Sequence, residues 1–192
     1  MNRSPTKSCN LDPVPTNLLK DYSHVILPVI TKIINQSLSS GIFPTTFKTA
    51  LIRPLLKKPS LDHEILKNYR PVSNLPFLSK LLERIVLSRI LPFLQTKNIL
   101  DHHQSAYRAN HSIETALLKV ENDILSAMDQ GRLVALVLLD LSAAFDTVDH
   151  CLLIKRLQQL GLNGMVLQWF TSYLLNRSQS VQIHDKCSAP SN

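Results

Sequence analysis

Apolar residues recur at helical spacing along several stretches of the chain. Val25, Ile26, Val29, Ile30, Ile33, Ile34 and Leu38 fall on one side of a 3.6-residue helix. Gly41 follows where a left-handed residue would end it. Upstream, Pro13 and Pro15 bracket an earlier helix start, with Thr16 as its expected cap. Over 77–94, Leu78, Leu81, Leu82, Ile85 and Val86 turn inward, and Lys80, Glu83, Arg84 and Arg89 mostly outward. The cleanest amphipathic pattern is 112–128, where Ile113, Ala116, Leu117, Val120, Ile124, Ala127 and Met128 share a face. Ser112 suits its N-cap, and Gly131 stops it. Two more helices follow, about 149–160 and 164–176, the first capped by Asp149 and closed by Gly161.

Other stretches read as extended. Residues 49–58 form a strand, and Pro54, with no N–H to give a ladder, favours an edge. Residues 60–68 are a polar connection. Residues 69–75 are extended because Pro71 disfavours helix at the residue before it. Residues 96–111 make a polar loop. The aliphatic run 133–139 is short and β-branched enough to predict a strand buried on both faces, ending at Asp140. Residues 178–184 suit a final strand, and residues 1–10 are expected to be disordered. The sum is an α+β chain, mostly helical, with few strands.

Composition narrows the function classes. With 44% hydrophobic and 18% charged residues among 192, the chain is globular. It has only four glycines and no glycine-rich phosphate loop, which argues against Rossmann dehydrogenases, P-loop ATPases and protein kinases. Cys9, Cys151 and Cys187 lie far apart and form no CxxC pair, so neither a zinc knuckle nor a disulfide framework is expected. The seven histidines show no HxxxH or HExxH spacing, and no GxSxG elbow occurs. The first residues are polar, and the longest apolar run, 133–139, falls far short of the ~20 residues that span a bilayer. A soluble, intracellular protein of the cytoplasm and/or nucleus is expected, without a membrane partner. Residues 1–100 hold 14 Lys and Arg against 5 Asp and Glu; residues 101–192 hold 7 against 9. A basic half suits a polyanion, although surface lysines also serve solubility alone.

The sharpest local feature is LVALVLLDLSAAFDTVDH, residues 133–150. A carboxylate at the end of a buried strand is costly unless it is hydrogen-bonded or binds a cation. Asp140 could cap the short turn 141–145. The small residues Ser142, Ala143 and Ala144, followed by Phe145, instead suit a metal ion and a bound substrate ring. Asp146 and Asp149 read as ordinary turn and cap residues.

Several segments then resemble, in order, the reverse transcriptases of LINE-type (non-LTR) retrotransposons, in particular their jockey/CR1-like branch. They are LDPVPTNLLK (11–20), GIFPTTFKTALIRPLLKK (41–58), NYRPVSNLPFLSKLLERIV (68–86), QSAYRANHSIETALL (104–118) and LVLLDLSAAFDTVDH (136–150), followed by LGL (160–162) and WFTSYLLNRSQSV (169–181). The resemblance implies a partial right-hand polymerase: an N-terminal extension and fingers over 11–131, and the start of a palm over 132–192. It implies an RNA template, a DNA primer and dNTPs as partners, and two Mg²⁺ ions as cofactors for phosphoryl transfer.

By position, Asp140 resembles the family's first catalytic, metal-binding aspartate. Phe145 resembles the residue beneath the sugar that rejects a ribose 2′-hydroxyl; core packing is its alternative. The backbone near Leu141 and Ser142 would lie beside the triphosphate, and Arg70 resembles the fingers arginine that grips it. Gln104, Tyr107 and Arg108 would lie near template or nucleotide. Lys57 and Lys58 would touch template phosphate or simply solvate a strand end. The departures matter as much: no Asp-Asp dipeptide and no PQGS-type segment occurs in the 192 residues. The chain is therefore expected to be a fragment, inactive on its own. Two alternatives stay open: a non-catalytic nucleic-acid-binding protein that reuses the fingers, and a helical interaction module.

Overall fold

The computed structural model describes residues 9–141 and 144–191. Among these residues there are six α-helices and four strands, a mixed α and β architecture. The helices are α1 (Thr16–Asp21), α2 (Ser23–Ser40), α3 (Phe77–Thr96), α4 (Ile113–Asp129), α5 (His150–Gln159) and α6 (Gly164–Leu174). The strands are β1 (Thr49–Leu56), β2 (Tyr69–Asn74), β3 (Ser178–Ile183) and β4 (Lys186–Cys187). The chain divides into two units, Met1–Arg89 with Asp149–Asn192, and Ile90–Val148.

The core of the first unit is where α2, α3 and α6 meet. Ile30 and Ile34 of α2, Leu82 of α3 and Trp169 of α6 close around Phe43, which is fully buried. Leu78, Leu81, Ile85 and Val86 pack against this cluster, so the inward face read from the α3 sequence is the one used. The α2 stripe is wider than its cover: Val25 and Val29 remain exposed. Phe43 meets Trp169 and Tyr173 edge-on, with ring centroids 5.5 and 5.1 Å apart. Such pairs add roughly 0.5–1.5 kcal/mol beyond their burial. The polar atoms in this core are paired. Trp169 Nε1 donates to Ser37 Oγ at 3.1 Å, and the Ser37 hydroxyl donates to the Ile42 carbonyl.

Gly41 ends α2 at φ +67°, as its position predicted. A Cβ there would also come within 3.1 Å of the Met165 carbonyl on α6, so the helix end and the α2–α6 approach both require glycine. Thr16 is not the cap of α1. It is the first helical residue and wholly buried, while Pro15 holds the cap position. Pro15 removes one of the orphan donors at the helix start, its own N–H, and offers no side-chain oxygen to the others. Asp12 does a capping task that the sequence pattern did not reveal. Its carboxylate accepts from the Phe77 N–H at the start of α3 and from the Cys9 N–H.

The sheet runs β2-β1-β3-β4, with β1 antiparallel to β2 and parallel to β3. β1 is thus flanked on both sides, and the edge position inferred from Pro54 is corrected. The β1–β3 ladder stops at the Ile52–Val181 pair, before Pro54. The Lys57 N–H turns toward β2, donating to the Asn68 carbonyl, so Pro54, three residues earlier, would turn its missing N–H away from β2. The side that Pro54 cannot serve has no strand to serve. Pro71 sits opposite it, at a pair position that exchanges no hydrogen bonds. The short strand β4 was not foreseen; two residues carry no pattern.

A polar cluster holds the start of the parallel pair. Lys48, buried just before β1, donates its ammonium to the Leu175 carbonyl at the end of α6 (3.1 Å). Arg177, just before β3, lies over the Tyr173 ring at 4.8 Å and donates to the Tyr173 carbonyl. The Tyr173 hydroxyl donates to Glu83 of α3 at 3.1 Å. Burial, with Arg177 nearby, lowers the Lys48 pKa. Burial raises that of Glu83 and pushes the Tyr173 hydroxyl up to about 12, with the Glu83 charge adding to it.

In the second unit, Ser112 caps α4 as predicted. Its hydroxyl accepts from the Thr115 N–H, and Thr115 Oγ1 accepts in return from the Ser112 N–H. Gly131, at φ +71°, stops the helix. The residue run 133–139 departs from expectation: it is neither a strand nor buried. Leu133 and Leu139 are 103% and 91% exposed, and no described strand pairs with the run. The alternation of its side chains is not what fails. A strand exists only when a neighbouring ladder takes its N–H and C=O groups, and the four described strands pair among themselves. The apolar face of α4 likewise has no buried residue.

Candidate functional site

The β1–β2 ribbon carries the first group of candidate residues. Arg70 stands on β2 directly opposite Leu55, exposed, with Val72 two residues along on the same face. Its guanidinium has no protein partner among the described residues, so its full fork of donors faces solvent. Lys57 follows β1 and donates its ammonium to the Lys67 carbonyl at 2.6 Å, which ties the two ends of the 57–67 connection together. Tyr69 donates its hydroxyl to the His63 carbonyl at 3.0 Å and fixes the same connection from the other strand. Lys58 is exposed beside Lys57 and makes no side-chain bond among the described residues. A two-stranded arm with Arg70, Lys57 and Lys58 exposed on it offers charge-assisted bonds to an anion.

The second group lies in the other unit. Gln104 and Arg108 serve their own loop. Gln104 Nε2 donates to the Ala106 carbonyl, and Arg108 donates to the His102 and Gln104 carbonyls. These bonds hold Tyr107 in a left-handed conformation, φ +61°, with its ring 84% exposed. Few side chains adopt that region without such local support. Tyr107 meets Phe145 edge-on, ring centroids 6.4 Å apart at 74°. Two residues singled out from separate motifs, 104–118 and 136–150, are therefore neighbours. Phe145 is 77% exposed, so it packs against no core.

Asp140 is exposed and makes no hydrogen bond or ion pair among the described residues. The next described turn, 144–147, is closed by Thr147 Oγ1 donating to the Ala144 carbonyl at 3.0 Å. Leu141 is also exposed, and Ser142 lies outside the described residues. Asp149 is the N-cap of α5, accepting from the Leu152 N–H at 2.8 Å, as its position predicted. Among the described residues, no three His, Cys, Asp or Glu side chains lie close enough to hold a metal ion. Asp140 by itself does not fit a pair of Mg²⁺ ions. No helix among the described residues is long and apolar enough to cross a membrane.

Sequence reasoning did not single out Arg53, whose Nε donates to Gln182 Oε1 at 3.1 Å. In the sequence it is a single arginine in a run otherwise apolar up to Lys57, which carries no pattern of its own.

Comparison with known proteins agrees with the motifs. Residues 56–190 match the family described as reverse transcriptase (RNA-dependent DNA polymerase). The whole chain is 29% identical to a probable RNA-directed DNA polymerase from transposon X-element of Drosophila melanogaster, covering 21% of that protein. Over 184 residues, 96% of the chain, it is 31% identical to a probable RNA-directed DNA polymerase from transposon BS of the same organism, covering 20% of it. Over 173 residues, 89% of the chain, it is 34% identical to the RNA-directed DNA polymerase from mobile element jockey of Drosophila funebris, covering 18%. The chain thus spans about a fifth of the length of these relatives.

Proposed function

Because the chain belongs to the reverse transcriptase (RNA-dependent DNA polymerase) family, we propose that it carries the fingers and the start of the palm of a retrotransposon polymerase. The fingers and N-terminal extension are residues 11–131, and the palm begins at 132. The substrates of the whole enzyme are an RNA template, a DNA primer and dNTPs. The work is done in the cytoplasm or nucleus, where such a template is found.

The observation that carries this reading is the β1–β2 ribbon. It is short and cationic, and Arg70 keeps an open guanidinium fork on it. Arg70 grips the triphosphate of the incoming nucleotide, since a planar fork matches phosphate oxygens better than a point charge does. Lys57 and Lys58 sit where a template backbone passes. Phe145, steadied by Tyr107, is the aromatic surface for the sugar, and Gln104 and Arg108 shape the loop that presents Tyr107. Asp140 is the first metal-binding carboxylate. Bound Mg²⁺ would supply activation of a primer hydroxyl and stabilisation of the leaving pyrophosphate; the second carboxylate motif needed to hold it does not occur in these 192 residues.

The chain on its own therefore does not polymerise. In a primer-extension assay with Mg²⁺ or Mn²⁺, no templated dNTP incorporation is expected above an Asp140→Ala control. Extension above that control would overturn the incompleteness and assign the missing ligands to other residues. A second reading, nucleic-acid binding without catalysis, is favoured by the same ribbon and by the basic first half of the chain. Binding with no extension is its signature; absence of binding at any salt leaves the interaction-module reading.

A further inference from the structure

Lys48 is a cation that the fold buries without an acid beside it. Only 7% of it is exposed, and its ammonium gives one hydrogen bond among the described residues, to the Leu175 carbonyl. The charge of Arg177 acts on it from nearby. Neither cation makes an ion pair among the described residues. Glu83, the acid of this cluster, accepts from the Tyr173 hydroxyl, and its charge couples to Arg177 and Tyr173. Two cations thus face one carboxylate and roughly half a charge from the carbonyl end of α6. Buried charges are ordinarily paired, so the Lys48 end is short of negative charge. Lys48 also lines a concavity of about 620 Å³ between the turn after α2 and α6, which none of the roles above uses. Further donors gather round it. Ser172 Oγ accepts from the Phe43 N–H at 3.0 Å, so the hydroxyl keeps its own proton to give. Asn176, in a left-handed turn at φ +53°, adds a side-chain amide. Among the described residues no Asp or Glu lines the concavity, and the apolar Ile42 and Leu175 are each about half exposed there.

We propose that this concavity binds a small organic acid. Lys48 takes its carboxylate, helped by Ser172 and Asn176, and its hydrocarbon lies over Ile42, Leu167 and Leu175. The ammonium has two N–H groups beyond the one given to Leu175. A carboxylate brings the single negative charge that Lys48 lacks, and a charge-assisted bond to a buried ammonium is stronger than the same bond in water. A phosphate group fits less well. It carries about −1.5 to −2 charge and three acceptor oxygens, and the apolar wall offers it nothing. Arg70, Lys57 and Lys58 do not line this concavity, and the proposal does not rest on the roles given to them. A bound acid links the turn after α2 to α6 and therefore stabilises the folded chain.

The test titrates the full chain with sodium hexanoate at neutral pH and constant ionic strength, read by amide chemical shifts in NMR and by Tm. Two probes run beside it: 1-hexanol keeps the tail without the charge, and inorganic phosphate keeps a charge without the tail. Hexanoate is expected to bind about five-fold more tightly than either or better. It should shift the amide signals of Ile42, Ser172 and Asn176 to saturation and raise Tm. Lys48→Met keeps the length of the side chain and removes its charge, a change that a buried site often tolerates. It should weaken hexanoate by about five-fold or more and leave hexanol unchanged. Hexanoate no tighter than hexanol, or equally tight in Lys48→Met, would overturn the proposal. Phosphate binding as tightly as hexanoate would overturn the carboxylate as the ligand class, and shifts confined to residues away from this wall would overturn the site. If Lys48→Met does not fold, the comparison of hexanoate with hexanol on the wild-type chain, together with the position of the shifts, decides the question.

Discussion

At the scale of single residues, the Tyr173–Glu83 pair gives the fold a pH signature. Tyr173 titrates near 12 in the folded chain against an ordinary 10.0. A raised folded pKa means stability fully present below pH 10 and lost as pH climbs through about 12. Lys48, lowered by burial, acts in the opposite sense, because losing its proton relieves the cost of burying it. Melting temperatures followed by circular dichroism should fall between pH 10 and 12 in the wild type, and much less in Tyr173→Phe. An equal fall in both would assign the transition to other groups. The sugar-facing role proposed for Phe145 is tested by substrate choice. In an enzyme completed with palm and thumb from a related element, Phe145→Ala should raise rNTP use relative to dNTP by about tenfold or more, roughly 1.4 kcal/mol of discrimination. Arg70→Ala should weaken both nucleotides alike, since they share a triphosphate. Equal ribonucleotide rejection in wild type and Phe145→Ala would reduce the ring to a partner of Tyr107.

At the scale of elements, the helices divide by whether their apolar stripe is covered. The stripes of α2 and α3 meet α6 around Phe43 and are buried there. The stripe of α4 is as regular, with good capping, yet covers nothing. Periodicity fixes which side of a helix is apolar, not whether anything lies against it. The aliphatic run 133–139 shows the same limit for strands, since its residues favour β structure but no described strand pairs with it. Limited digestion with thermolysin should therefore cut within 133–141 well before any cut in α2 or β1. Protection of 133–141 equal to that of α2 would show that the run is paired in solution. The fold was legible where residues act locally: Gly41, Ser112 and Asp149 do as their positions announce. It was not legible at Asp12, whose partner Phe77 is 65 residues away.

At the scale of the whole molecule, the lopsided charge of the sequence governs what the chain attracts. The basic first half includes the β1–β2 ribbon and its exposed Lys58 and Arg70. Single-stranded RNA should bind with a negative slope of log affinity against log salt, and Arg70→Ala should flatten that slope by about one. A slope indistinguishable from zero, or one untouched by Arg70→Ala, would remove the ribbon from the interface. The candidate site as a whole was legible in part. Its residues were named from motifs, and Tyr107 and Phe145 proved neighbours, but nothing in either motif stated that contact. Arg53 escaped because an arginine in an apolar run has no pattern of its own; its meaning comes from Gln182 across the β1–β3 pairing.

By itself the sequence determined the positions of the helices, the β1–β2 strands, the caps at Ser112 and Asp149, the stops at Gly41 and Gly131, and the family to which the chain belongs. Those features rest on neighbours a few residues apart, or on motifs read in order. Only the tertiary structure decided that β1 runs parallel to β3 and lies inside the sheet, that Thr16 is core rather than cap, and that Lys48, Arg177, Tyr173 and Glu83 form one cluster. It also decided that the run at 133–139 is left unpaired and Asp140 exposed. The physical reason is the same in each case. Burial and strand pairing are properties of two segments at once, and a pattern along one segment cannot say whether its complement is present.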